Sequence, residues 1–313
     1  MSFTSDARLE LARVPVEKSC DAASELCGAV LSCGGLSFRG LGQYGLAIHT
    51  ESRELFERHA ALMRRFFGID AAMRARQTDR LGGQTHYVLT PDDDSIPRLM
   101  DALSLRDAGQ LFGIRVAPSE SMLGKDCCKR AFLRGAFLLC GSVSNPSRSY
   151  HLEFAPPNQT LATSIHTLLS SYDLPAKLSH RKSQSIIYVK DGAGVSDTLA
   201  LLGASVALME LENVRILKGL RNEVNRQVNC DKNNMDKIVN ASEKQISMIK
   251  TIEKRLGMDG MDEPLREVAQ MRLAFPYASL TELGQMLSPP LGKSGVNARM
   301  RKLELLAESL ING

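Results

Sequence analysis

Residues 26–34 read LCGAVLSCG and residues 133–141 read LRGAFLLCG. Leu26/Leu133, Gly28/Gly135, Ala29/Ala136, Cys33/Cys140 and Gly34/Gly141 fall at the same offsets. The pattern of elements after each stretch is also repeated. After the first come the strands SFRG (37–40) and YGLAIHT (44–50), then a helix over 52–67 with Leu55, Phe56, His59, Leu62, Met63 and Phe66 spaced by threes and fours. An extended stretch (69–76), a Gly82-Gly83 turn, a strand (86–90) and a helix after Asp94 complete the first copy. After the second come a strand (150–154), a helix from Asn158, strands 176–180 and 186–190, and a helix from Ser196. Tyr87-Val88 and Tyr188-Val189 match. Two such copies predict an α+β fold in which each half covers the other's sheet. Gly28 and Gly135 have no Cβ, so two helices carrying them can pack with their backbones close. Two readings stand: the blocks pair at the centre of a pseudo-twofold, or they are ordinary buried helices with small residues.

Both blocks resemble the LAGLIDADG motif of homing endonucleases. In that motif an acidic residue before the final Gly holds the metal. Here Cys33 and Cys140 stand at that position, and Leu31 and Leu138 at the other acidic one. Magnesium-type ions bind sulfur poorly. Asp21 and Asp126 lie at or before the starts of their helices, far from the site. The expectation is a catalytically inactive relative with no metal and no cofactor. An active endonuclease would need ligands outside the usual position.

The 313 residues are 43% hydrophobic and 24% charged, as in a globular protein of two or three domains. There is no Trp, which argues against base-stacking platforms. No apolar run is long enough for a membrane span, and the N-terminal residues lack the apolar core of a signal peptide. A cytoplasmic, nucleoid-associated protein is expected. The seven Cys fit free thiols of a reducing compartment. Cys127-Cys128 has no second pair at zinc spacing, so no zinc site is expected.

Residues 214–255 carry ten basic and five acidic side chains, whereas the first 213 residues are neutral overall. A basic segment beside a neutral domain suggests a polyanion partner; a solvated helix face is the bland alternative. From Ser205 the pattern is helical throughout. Residues 205–258 read as one or two surface helices joining two domains. Arg221, Asn222, Asn225, Arg226 and Lys232 suit DNA-backbone contacts there, or belong to a connector with polar caps and turns. In the neutral domain Arg39, Arg74, Arg76, Arg80, His180, Arg181 and Lys182 make either a local basic face or scattered solvated charge.

Residues 259–313 carry the sharpest signal. Pro264 opens a helix, with Leu265, Val268, Ala269 and Leu273 inward. Ser279-Leu280-Thr281-Glu282 is a capping box starting a second helix to Leu287. Pro289-Pro290 stops it, and Ser294 caps a third helix with Val296, Met300, Leu303, Ala307 and Leu310 as its buried stripe. No acid occurs between Lys293 and Lys302. Such a face suits a recognition helix: Arg301 for a guanine, Asn297 for an adenine, with Ser279, Lys293, Ser294, Arg299 and Lys302 around them. Three-helix units also occur as protein-binding modules.

The whole chain resembles the WhiA family, on FLRGAFLLCGSVSNPSRSYHLEF (132–154), RNEVNRQVNCDKNN (221–234) and ASLTELGQML…GKSGVNARMRKL (278–303). The resemblance implies a two-repeat LAGLIDADG-like domain over 1–204 (repeats about 20–112 and 126–204), a helical basic linker over 205–258 and an all-α helix-turn-helix domain over 259–313. It also implies a sequence-specific double-stranded DNA-binding protein linked to cell division, chromosome segregation and, in sporulating lineages, transcription at sporulation. The alternative is a nucleoid-associated or protein-interaction factor of weak sequence preference, with a transcription or cell-division partner.

Overall fold

The chain begins with a helix that the repeat does not announce, α1 (Phe3–Leu11). The first copy follows as α2 (Ser19–Cys33), β1 (Leu36–Gly40), β2 (Gln43–Leu46), β3 (Ile48–Thr50), α3 (Arg53–Phe67), β4 (Ala71–Gln77), β5 (Thr85–Pro91) and α4 (Ile96–Ala102). The second is α5 (Asp126–Cys140), β6 (Gly141–Val143), β7 (Leu152–Phe154), α6 (Gln159–Ser170), β8 (Lys177–Arg181), β9 (Gln184–Val189) and α7 (Gly192–Leu202). Four helices complete the chain: α8 (Ser205–Leu256), α9 (Glu263–Ala274), α10 (Leu280–Gln285) and α11 (Lys293–Asn312). The computed structural model describes residues 2–33, 35–40, 43–77, 85–107, 109, 111–181 and 184–312. Gly34, Arg80, the Gly82-Gly83 turn and Lys182 lie outside the described residues, as do the side chains of Arg76 and Arg181.

Two compact units divide the chain, residues 1–218 and 219–313. In the first, α2 and α5 pack against each other at the repeated glycines. A Cβ on Gly28 would stand 2.3 Å from the Phe132 carbonyl oxygen, and one on Gly135 would stand 2.0 Å from that of Glu25. Even a methyl group is excluded at both crossings. The blocks are therefore the central pair, and the reading as two ordinary buried helices falls. The sheets repeat as well. The second copy gives the antiparallel order β6-β7-β9-β8; the first gives β1-β2 and β3-β5-β4, with only Ala47 between β2 and β3. Tyr87 on β5 faces Thr50 on β3, and Tyr188 on β9 faces Glu153 on β7, so the matched tyrosines hold equivalent places.

Polar groups lock this apolar core. Glu25 on α2 is fully buried between two arginines. Arg58 on α3 donates to both its oxygens, and Arg134 on α5 donates through Nε at 2.8 Å. Arg58 also donates to the carbonyls of Ala12 and Val14, at 2.6 and 2.9 Å, pinning the chain after α1. Burial pushes the Glu25 carboxyl up, but the hydrogen bonds and charge of Arg58, with Arg134, outweigh it and hold the group below its ordinary range.

One boundary departs from expectation: β6 follows α5 without a break; at three residues it is too short for a periodicity signal. Of the two forms open for 205–258, one continuous helix is found, α8, which ends at Leu256. At its start Glu10 of α1 accepts from the amides of Val206 and Ala207 at 2.6 and 3.0 Å, capping α8 within the first unit. At its end Ile249 and Ile252 enter the core of the second unit with Val268, Leu283, Val296 and Leu303.

Candidate nucleic-acid interface

In the second unit α10 and α11 form a helix-turn-helix braced by α9 and the end of α8. The capping box at α10 is formed: the Ser279 hydroxyl accepts from the Glu282 amide at 3.3 Å, and Glu282 accepts from the Ser279 amide at 2.7 Å. The Ser279 amide, followed by the Ser279 hydroxyl, donates to the Glu282 carboxyl and holds it below its usual range. Gly284 lets the turn close. A Cβ there would stand 2.0 Å from the Leu291 carbonyl oxygen. Arg272, buried on α9, donates to the carbonyls of Pro276 and Ala278 at 3.2 and 2.6 Å, fixing the approach to α10.

α11 places Val296, Met300, Leu303 and Ala307 in the core, with Leu310 packed beside them. Lys293, Ser294, Asn297, Arg301 and Lys302 are exposed. The helix starts two residues earlier than expected: the Val296 amide donates to the Gly292 carbonyl at 3.2 Å, so Gly292 takes the cap place assigned to Ser294. Ser294 lies in the first turn, with its hydroxyl on the open face. Arg299 differs from its neighbours. It is half-buried and donates to the Pro264 carbonyl at 3.2 Å, with Glu267 at 3.5 Å. Glu267 also accepts from the Ser288 amide at 2.7 Å. One carboxylate thus ties α9 to the turn and to α11, and Arg299 serves that tie.

Asn297 and Arg301 line a groove of about 580 Å³ between α11 and α8, which Lys244 shares. Glu304 and Glu308 close its far end, one and two turns along. Sequence reasoning missed Lys244, because its nearness to Arg301 exists only in the packed unit. Arg221, Asn222, Asn225, Arg226 and Lys232 are exposed on α8. The fold does not bring them to this groove: Arg226 lies about 27 Å from Lys244 along a helix rising ~1.5 Å per residue.

The first unit gives a weaker basic face. Arg39 on β1 and Arg74 on β4 share a pocket of about 460 Å³ with Asp92 and Asp93, and Arg39 pairs with Asp93 at 3.1 Å. His180 bonds Ser185 through Nδ1 at 2.9 Å. At the motif's acidic positions Cys33 and Cys140 are free, half-buried thiols. Burial pushes Cys140 up to about 11 and Cys33 above its ordinary value. The Cys33 thiol contacts the carbonyls of Val30 and Ala47, both at 3.4 Å. Arg8 of α1 donates to the Gly141 carbonyl, setting a guanidinium beside Cys140. Protonated sulfur beside a fixed cation is a poor place for a hard divalent ion.

Comparison with known proteins agrees with this architecture in each segment. The family described as WhiA N-terminal LAGLIDADG-like domain matches residues 19–105, WhiA LAGLIDADG-like domain matches 129–221, and WhiA C-terminal HTH domain matches 224–307. A protein of Desulforamulus reducens named "Probable cell division protein WhiA" is 39% identical over 100% of this chain and 97% of its own. One of the same name from Alkaliphilus metalliredigens is 39% identical over 98% of each chain. The crystal structure of full-length WhiA from Thermatoga maritima superposes with a TM-score of 0.59 over 99% of both chains at 22% identity, which shows a shared fold. From its paired glycine helices to its helix-turn-helix, this chain belongs to the WhiA family.

Proposed function

We propose that this protein is a sequence-specific double-stranded DNA-binding regulator acting in cell division, with α11 as its reading helix. One observation carries the reading: the first turns of α11 expose Lys293, Ser294, Asn297, Arg301 and Lys302 with no acid among them, while the opposite face is buried. A helix entering the major groove needs such a face. Arg301 forks onto a guanine and Asn297 pairs with an adenine. Lys293, Lys302 and Lys244 contact phosphates, and Arg221, Asn222, Asn225, Arg226 and Lys232 extend backbone contact along α8. Arg299 and Ser279 position the unit. The role in cell division follows the names of the relatives; chromosome segregation and, in sporulating lineages, transcription at sporulation follow the family resemblance. Such a protein works in the cytoplasm, on the nucleoid. The LAGLIDADG-like unit is a catalytically inactive scaffold, because Cys33 and Cys140 replace metal-binding acids and Arg8 stands beside Cys140.

A second reading has an observation of its own. Leu220, Val224 and Val228 are exposed along the part of α8 that belongs to the second unit, as a face for a protein partner would be. In that case DNA contact is weak and indifferent to sequence.

The test is selection of genomic DNA fragments by wild type and by the Asn297→Ala/Arg301→Ala variant, at two salt concentrations with magnesium present. A shared motif, lost in the variant, on uncut fragments is the expected result. Equal recovery by the variant, or no motif, overturns the assignment of α11; cut fragments overturn the inactive scaffold.

A further inference from the structure

The ends of α2 and α5 away from Cys33 and Cys140 hold a second cluster. Cys20 and Asp21 come from the first turn of α2, and Cys127 and Cys128 from that of α5. One ligand atom from each of the four lies within 4.8 Å of all the others. The Cys20 Sγ–Asp21 Oδ1 distance is 3.5 Å, Cys128 Sγ–Asp21 Oδ1 is 4.0 Å, and Cys127 Sγ–Cys128 Sγ is 4.0 Å. A tetrahedral zinc ion with Zn–S about 2.3 Å and Zn–O about 2.0 Å spaces its ligand atoms roughly 3.5–3.8 Å apart. The three named separations are within about half an ångström of those edges, and with no pair beyond 4.8 Å, side-chain shifts of up to about an ångström complete that polyhedron.

We propose that Cys20, Asp21, Cys127 and Cys128 form a structural site for a thiophilic divalent cation of the zinc class, which staples the two repeats together at the N-terminal end of the central helix pair. Three sulfurs and one carboxylate select such an ion over magnesium or calcium. The surroundings suit the charge. Three thiolates and a carboxylate around a divalent ion leave a net negative site, and the unsatisfied amides of two helix N-termini favour negative charge. Lys18 and Lys125 immediately precede the two helices. Loading breaks three S–H bonds, releases three protons to solvent and forms three metal–sulfur bonds and one metal–oxygen bond; no electron moves. Asp126 is outside the set, because it accepts from the Tyr172 hydroxyl at 2.6 Å and from Arg130 at 2.8 Å. Sequence spacing carries no sign of this site, since its halves lie 107 residues apart and only the helix crossing joins them.

The full chain, made without a metal-binding tag and kept reduced, tests this by metal content and by cobalt(II) titration. About one zinc per chain is expected, and cobalt should give sulfur-to-metal charge-transfer absorption with the visible bands of a tetrahedral thiolate site. Cys20→Ser and Cys127→Ser, both at half-buried positions, should lose the bound metal and the bands. Cys230→Ser, at the exposed cysteine of α8, should keep both. Circular dichroism of each variant separates loss of metal from loss of fold, and the conservative Asp21→Asn should weaken binding without unfolding the chain. Wild type without thiolate absorption, or with bands unchanged in the Cys20→Ser/Cys127→Ser double variant, overturns the site. So does an intact mass two hydrogens light before reduction, which would mark a disulfide in its place.

Discussion

The two compact units use charge in opposite ways. The first buries it: Glu25 is enclosed by Arg58 and Arg134 where three helices meet, and its surface arginine Arg39 is neutralised by Asp93. The second displays it along α11, where Lys293, Arg301 and Lys302 are exposed while Arg299 is turned inward to Glu267 and, on α9, Arg272 is buried against backbone carbonyls. Buried charge holds helices in register and is unavailable to a ligand. Displayed charge contributes little to folding and much to capture of a polyanion. Under the function proposed above, one unit is the scaffold and the other the reader, and each assignment can be broken separately.

The largest effect belongs to the buried side. Glu25→Ala leaves two arginines unpaired in an apolar interior, which costs about 3–5 kcal/mol. Denaturant unfolding followed by a probe in each unit should show the first unit weakened and the second unchanged. A loss below about 1 kcal/mol would mean that the cluster is not a scaffold lock. Its pH dependence has a definite sign. The folded carboxyl is held below its unfolded value of about 4.3, so its contribution is full above that pH and fades as pH falls through the folded value. The wild-type unfolding midpoint should drop on acidification in that window, and Glu25→Gln should flatten the response.

Gly135→Ala comes next. The added methyl would sit 2.0 Å from the Glu25 carbonyl oxygen, so α2 and α5 must separate. Overpacking of this kind costs about 1–3 kcal/mol. Thermal unfolding of this variant beside Gly219→Ala, at a helical glycine with open space around it, isolates the crossing from general helix propensity.

The legibility of the sequence divides along the same line. The repeat is legible because Gly28, Gly135 and the apolar spacing recur at fixed offsets, and α10 is legible because the capping box and the prolines bracket it by local rules. Glu25 was not legible. A glutamate inside an apolar helix has no meaning until its partners are known, and they lie 33 and 109 residues away. Arg299 reads as one more cation in a basic helix, yet its partners are 35 and 32 residues back, on α9. Local grammar locates elements and exposed faces. Long-range pairing decides which charges are free, as the contacts of Arg299 with α9 show, whereas the cap at Ser294 gave way locally, to the Gly292 carbonyl two residues earlier.

On the displayed side, Arg301→Ala should remove a base contact worth about 1–3 kcal/mol, weakening binding to the selected sequence while leaving binding to unrelated DNA almost unchanged. Arg299→Ala is the matched control. If Arg299 braces α11 against α9, its loss lowers the stability of the second unit and weakens all DNA binding together, without relaxing preference at any one base. Relaxed preference in Arg299→Ala with unchanged stability would instead put Arg299 in the groove.

The smallest effect sharpens the comparison most finely. Lys244 shares the groove with Arg301 but lies on α8, and a lysine is a point charge suited to a phosphate. Lys244→Ala should weaken binding to every sequence alike and reduce the steepness of log affinity against log salt by about one. Arg39→Ala in the first unit removes a cation already paired with Asp93, so its slope should match wild type. If both variants lower the slope equally, the first unit also carries DNA backbone, and the division between scaffold and reader is wrong. If only Lys244→Ala lowers it, the groove between α8 and α11 is the surface the nucleic acid meets.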